Sequence, residues 1–235
     1  MKTAIILAAR REKESEIPYP LKAFAPDLCL LDRTIGILRD LHFSNILIVV
    51  GYKAEMFRKY EADDVTLIVN KDYEFTASMG SLALAKDYVK EDFLLIESDT
   101  FYERRLIEQL AARTEGNCLS MTEESGSGDE CFMETKNGFV TKITKDRHRV
   151  CHFEGEMIGV SRITLDTFEM LVNAWEHASN PYLNYEYLLM DVTEPLDRPV
   201  IVLKNLIWGD VDCEEDFKKL HNTTVPLKWT NRSLN

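Results

Sequence analysis

Several short segments combine residue types that could do phosphate chemistry. Asp99, in Glu97-Ser98-Asp99-Thr100, stands just past the apolar run Asp92–Glu97. A carboxylate at a strand's carboxyl end can hold Mg2+ against phosphate oxygens. A second acidic site follows another apolar run, in Trp208-Gly209-Asp210-Val211-Asp212. Residues two apart in extended chain share a side, so Asp210 or Asp212 could complete a metal pair with Asp99. Asp, Ser and Thr also cap helices well, and a cap is the simpler account of any one of these residues read alone. Near the N-terminus, Leu7-Ala8-Ala9-Arg10-Arg11 is followed by Lys13 and Pro20-Leu21-Lys22. Small residues after a strand let backbone N–H groups approach a phosphate, and the four cations supply charge. A solvated basic loop explains the same residues equally well. Ser78-Met79-Gly80-Ser81 offers small and hydroxylated contacts for a ribose or base, or an ordinary helix start.

The surrounding elements put these segments at one edge. Ala4–Ala9, Asn45–Val50, Val65–Val69 and Asp92–Glu97 are short apolar runs of the kind found in buried parallel strands. Helical segments at Asp32–Leu41, Lys53–Tyr60, Ser81–Val89 and Glu103–Arg113 alternate with them. The order predicts an α/β, Rossmann-like, doubly wound sheet, mixed and mainly parallel. Ligands of such sheets lie beyond the carboxyl ends of the strands, where Ala8–Arg11 and Ser98–Thr100 fall. The second half predicts strands at Asn117–Glu123, Cys131–Thr135, Phe139–Lys145 and Met157–Ile163, with Asn137-Gly138 as a hairpin turn. Helices follow at Asp166–Ala178, Tyr185–Met190 and Cys213–Leu220, with late strands at Val200–Leu203 and Ile207–Trp208.

Composition narrows the classes. The 235 residues are 45% hydrophobic, enough for one sizeable core. A net charge of −12 argues against a nucleic-acid or anionic-membrane surface. No apolar run approaches the ~20 residues that span a bilayer, and the N-terminus lacks a signal-peptide pattern, so the expected location is cytoplasmic. The five cysteines form no CxxC pair, which indicates buried thiols rather than zinc or disulfides. No GxGxxG follows the first strand, which counts against a Rossmann dehydrogenase.

Taken in order, AIILAAR (4–10), PLKAF (20–24), LLDRTIGILRDL (30–41), NILIVVGYKAEMF (45–57), SMGSLALA (78–85), LLIESDTFYE (94–103), GEMIGVSRI (155–163) and IWGDVDCEEDFKKL (207–220) resemble the sugar-phosphate nucleotidyltransferases. Within that broad family the chain looks most like the CTP-dependent phosphocholine and 2-aminoethylphosphonate cytidylyltransferases. The resemblance covers nearly the whole chain to Leu220. It departs in the first loop, where Arg10 and Arg11 stand in place of glycines, with no Gly before Gly36.

The resemblance implies one catalytic domain over 1–222, with a nucleotide-binding half (1–115), an acceptor-binding half (116–222) built on a small β subregion, and a tail or linker at 223–235. It implies Asp99 and Asp212 as the Mg2+ ligands, and Lys22, Arg10 and Asp99 as the catalytic set. Leu7, Ala8, Ala9, Arg10, Arg11, Lys22, Ser78, Gly80, Ser81 and Ser98 would bind CTP. The implied reaction is attack of an anionic phosphate or phosphonate oxygen on the α-phosphorus, with loss of pyrophosphate and no general base. Glu156, Tyr182, Tyr185, Glu186 and Tyr187 are the expected acceptor residues: carboxylates suit a primary ammonium, tyrosines a trimethylammonium. The two carboxylates tilt the expectation towards 2-aminoethylphosphonate over phosphocholine. The competing expectations are a sugar-1-phosphate enzyme using UTP or dTTP, and a non-catalytic nucleotide-binding module. A homo-oligomer or a fused second domain is compatible with either.

Overall fold

The computed structural model describes residues 1–11, 15–25 and 28–224, with side chains to Lys219. Lys13 and positions 225–235 of the expected tail lie outside the described residues. Along the chain run β1 (Thr3–Ala8), β2 (Ala23–Ala25), β3 (Leu28–Cys29), α1 (Leu30–Asp40), β4 (Asn45–Val50), β5 (Val65–Val69), α2 (Ser78–Ala83), β6 (Phe93–Glu97), β7 (Thr100–Tyr102) and α3 (Arg104–Ala111). The second half adds β8 (Leu119–Thr122), β9 (Phe132–Lys136), β10 (Phe139–Thr144), β11 (Gly155–Met157), β12 (Val160–Ile163), α4 (Leu165–Glu176), α5 (Tyr185–Val192), β13 (Val200–Val202), β14 (Trp208–Asp210) and α6 (Glu214–Thr224).

The apolar runs become the main sheet, in the order β12-β6-β1-β4-β5. Four strands are parallel, and β12 closes the edge antiparallel to β6. Their continuous apolar character follows from cover on both faces. Ile6, Ile48 and Ile96 pack on one side against Ile35 and Leu38 of α1 and Leu106 and Leu110 of α3. Ile5, Leu47 and Leu95 face the other way, onto Met79 and Leu82 of α2, Phe168 of α4 and Leu189 of α5. The two-residue alternation of side chains thus divides one apolar sequence between two cores.

A second sheet, β10-β9-β11-β8-β13, stands beside the first. Asn137 (φ 55°) and Gly138 (φ 81°) turn the β9–β10 hairpin in the left-handed region, as the Asn-Gly pair predicts. The single strand expected over Met157–Ile163 is instead two, with β11 in the second sheet and β12 in the first. The chain changes sheets at Ile158-Gly159. The helix expected over Lys53–Tyr60 is a 3-10 segment at Ala54–Tyr60, entered through Lys53 at φ 53°. The helix expected at Ser81–Val89 starts earlier, at Ser78, and ends at Ala83. Among the described residues no helix is long and apolar enough to cross a membrane.

Candidate active site

A cleft of about 420 Å³ opens at the carboxyl ends of β1 and β6 and is closed on its far wall by the second sheet and α5. It is the crevice a sheet leaves where its strand order reverses, here about β1. Among the described residues, seven carboxylates and three cationic side chains line it. The cleft is therefore acidic, like the chain as a whole.

The floor is built by the strand ends. Ser98 N–H donates to the Leu7 carbonyl at 3.2 Å, continuing the β1–β6 ladder past β6. A two-stranded ribbon of β7 and β14 then pairs Thr100 with Asp210. The Thr100 hydroxyl donates to Asp210 Oδ1 at 2.7 Å, and Val211 N–H donates to the Asp99 carbonyl at 2.9 Å. This ribbon brings Asp99, Asp210 and Asp212 to one corner.

Arg10, two residues past the end of β1, reaches the same corner. Its Nη1 donates to Asp99 Oδ2 at 3.4 Å and pairs with Asp212 Oδ1. Arg11 pairs with Glu74 at 2.5 Å. Gly51 makes room for this loop, because a Cβ there would lie 2.6 Å from the Ala9 carbonyl oxygen and 2.6 Å from Tyr73 Cβ.

The carboxylates repel one another. Burial and then Asp99, Glu186 and Asp210 push the Glu97 carboxyl well above its ordinary range. Asp99 is also raised, because burial and Asp212 outweigh Arg10. Asp210 is pushed up to about 7 by desolvation and then by Asp99. Asp210 is open to solvent at one edge, so the like charges are the firmer cause of its shift. Burial raises Glu186 and Glu156 as well. On Lys145 burial opposes the charge, but Asp129 at 2.7 Å wins and its pKa rises.

Of the residues expected to bind nucleotide, Leu7, Ala9, Arg10, Arg11, Ser78 and Ser81 line the cleft with Asp99. Ala8, Gly80 and Ser98 are buried behind it. Lys22 does not line it. Its ammonium pairs with Glu214 and lies 4.6 Å from the Phe217 ring centroid, both on α6. Ser78 does not cap its own helix. Its hydroxyl accepts Tyr185 N–H at 3.1 Å and so ties α2 to the start of α5.

Of the expected acceptor residues, Glu156 and Glu186 line the cleft and the three tyrosines do not. Tyr185 is fully buried in the core, Tyr182 is 60% exposed, and Tyr187 borders a separate groove behind β10. The helical period explains this: Tyr185 and Leu189 share the inward stripe of α5, while Glu186 is turned one position towards the cleft. Glu156 is committed to the Glu124–Glu130 loop, accepting Ser125 N–H at 2.8 Å.

Sequence reasoning passed over Glu97, Asp129, Cys131, Lys145 and Asn184, all of which line the cleft. Glu97 had a usable signal, being the last residue of an apolar strand. Lys145 and Asp129 had none, because only the hairpin and its neighbouring loop bring them together.

Among the described residues no three His, Cys, Asp or Glu side chains converge as a metal cluster. Asp99 and Asp212 nonetheless reach a single cationic nitrogen. Mg2+ keeps several waters and takes one or two carboxylates plus substrate phosphates, so a two-aspartate site fits it.

No family model matches the chain. It is 29% identical over 127 residues to CMP-5'-(3-aminopropyl)phosphonate synthase of Streptomyces rubellomurinus, covering 50% of this chain and 20% of that protein. It is 26% identical over 228 residues to the bifunctional IPC transferase and DIPP synthase of Archaeoglobus fulgidus, covering 96% of this chain and 44% of that protein. The chain thus spans less than half the length of these curated relatives. The solved inositol-1-phosphate CTP transferase from T. maritima superposes with a TM-score of 0.79 at 18% identity, covering 97% of each chain. The fold is the α/β nucleotidyltransferase fold.

Proposed function

We propose that the chain is a Mg2+-dependent cytidylyltransferase that transfers CMP from CTP to a small phosphonate or phosphate bearing an ammonium group. The observation that carries this is the meeting of Asp99 and Asp212 on one cation at the sheet's carboxyl edge, beside a wall of carboxylates. Bound between the two aspartates, Mg2+ would neutralise phosphate charge and help align the attacking oxygen with the α-phosphorus. Arg10 would turn from the aspartates to the phosphates, with Arg11 beside it at the cleft's edge. The Leu7–Ala9 backbone and the Ser78–Ser81 turn form the wall for the nucleoside. An acceptor phosphonate is already anionic at neutral pH, so the protein's task is positioning and charge neutralisation.

Carboxylates without an aromatic cage favour a primary ammonium such as that of 2-aminoethylphosphonate over phosphocholine. The similarity to an aminopropylphosphonate synthase supports this choice. A second reading, a polyol phosphate acceptor, is favoured by the longer match to the IPC transferase protein. Pyrophosphate release should be measured for CTP, UTP and dTTP against aminoalkylphosphonates, phosphocholine, inositol 1-phosphate and glucose 1-phosphate. The reading predicts the highest turnover with CTP and an aminoalkylphosphonate. Turnover only with UTP or dTTP and a sugar phosphate would sink it.

A further inference from the structure

Glu97 occupies an unusual position in this cleft. It lines the cavity, yet among the described residues it forms no ion pair. Its charged neighbours are three more carboxylates, Asp99, Glu186 and Asp210. Tyr185 is fully buried, its hydroxyl is near enough to feel the Glu97 carboxyl, and that hydroxyl has no hydrogen-bond partner among the described residues. Glu186, 7% exposed, reaches the same wall and also forms no ion pair. Lys145, the nearest cationic influence on Glu186, has its ammonium on Asp129. Carboxylates this enclosed either hold a proton or, once ionised, favour a cationic partner.

The backbone has been shaped to hold Glu97 there. Glu97 N–H donates to the Gly159 carbonyl at 2.7 Å, and the side chain lies flat on the glycine. A Cβ at position 159 would sit 2.6 Å from Glu97 Oε2, 2.8 Å from its Cβ and 2.9 Å from its Cδ. Gly159 is also the point where the chain leaves the second sheet for the first. The switch between sheets and the seat of Glu97 are therefore one structural feature.

Resting on the cytidylyltransferase reading, we infer that Glu97 and Glu186 form the subsite for a primary ammonium group of the acceptor, with Gly159 as the positioning residue for Glu97. The Asp99–Asp212 corner already offers a divalent cation its two carboxylates, which leaves Glu97 and Glu186 for a different cation. An R–NH3+ group has three diverging donors at about 2.8 Å and can satisfy two separate carboxylates together. Trimethylammonium has no N–H to give them, and Tyr73 is the one aromatic side chain among the described lining residues. A neutral hydroxyl leaves both charges uncompensated. Sites that strand buried polar groups in this way discriminate strongly.

The test compares kcat and KM for 2-aminoethylphosphonate and 2-hydroxyethylphosphonate in wild type, Glu97→Gln, Glu186→Gln and Gly159→Ala, with KM for CTP measured alongside. In wild type the amine should be preferred by at least about tenfold. In Glu97→Gln and Glu186→Gln that ratio should fall by at least about tenfold, mainly through the amine's KM, with a smaller change in the KM for CTP. Gly159→Ala keeps every carboxylate and should lower the ratio in the same direction, which separates positioning from loss of charge. Thermal melts confirm that each variant is folded. Equal losses for both acceptors, or an unchanged ratio, would overturn the inference while leaving the transferase reading intact. Failure of wild type to turn over any acceptor would overturn both.

Discussion

Asp99 and Asp212 hold the same nitrogen of Arg10. One aspartate follows β6 and the other follows β14, and the hydrogen bond from Val211 N–H to the Asp99 carbonyl fixes their separation. A corner that accepts one guanidinium nitrogen between two carboxylates can accept a divalent cation there. The arginine is then released towards the anion such a cation would bring.

Asp99→Ala and Asp212→Ala should each lower CTP-dependent pyrophosphate release by about 10²–10³-fold, as expected for loss of one group that stabilises developing charge. Each should also remove the rise in melting temperature caused by Mg2+. Activity surviving in both variants would show that the metal site lies elsewhere.

Arg10→Ala should lower two measurements, of which Mg2+ rescues only one. With chelator present the melting temperature should fall, because Asp99 and Asp212 lose the one ion-pair partner they have among the described residues. With saturating Mg2+ most of that loss should be recovered, while kcat/KM for CTP stays down by about 10–100-fold, a loss of about 1.4–2.8 kcal/mol.

The metal-free protein should lose stability as pH rises. In the unfolded chain the carboxyls of Glu97, Asp99 and Asp210 ionise near pH 4. In the folded protein all three are raised, Asp210 to about 7. Between those values the folded state holds more protons, so its stability falls with rising pH and levels off above the folded values. Urea titrations in chelator from pH 5 to pH 8 should show a falling midpoint, and Mg2+ should raise it more at pH 8 than at pH 5. A midpoint that climbs across this range would contradict the carboxylate cluster.

Gly51→Ala should destabilise the protein by about 1–3 kcal/mol, the usual cost of overpacking. The added methyl would press on the Ala9 carbonyl and the Tyr73 side chain, both part of the cleft's edge. A lower urea midpoint together with a raised KM for CTP is expected. A stability unchanged within about 0.5 kcal/mol, the scale of ordinary surface substitutions, would show that the loop has room to move.

The sequence by itself determined the main sheet. Asn45–Val50 and Val65–Val69 are strands over the residues their apolar runs mark, since burial on both faces leaves a continuous signal in the chain. It also placed Arg10 and Asp99 beyond strand ends, because the carboxyl edge of a parallel sheet is fixed by chain direction, whereas Asp212 joins them only through the antiparallel β7–β14 ribbon. Tertiary structure decided what could not be local. Whether Lys22 faces the cleft depends on Glu214 and Phe217, nearly two hundred positions away. Whether Tyr185 or Glu186 meets a ligand depends on how α5 rotates against the core, and one position around a helix is about 100°. The role of Gly159 is visible only where two sheets meet, because a missing side chain carries meaning only through the Glu97 that occupies its space.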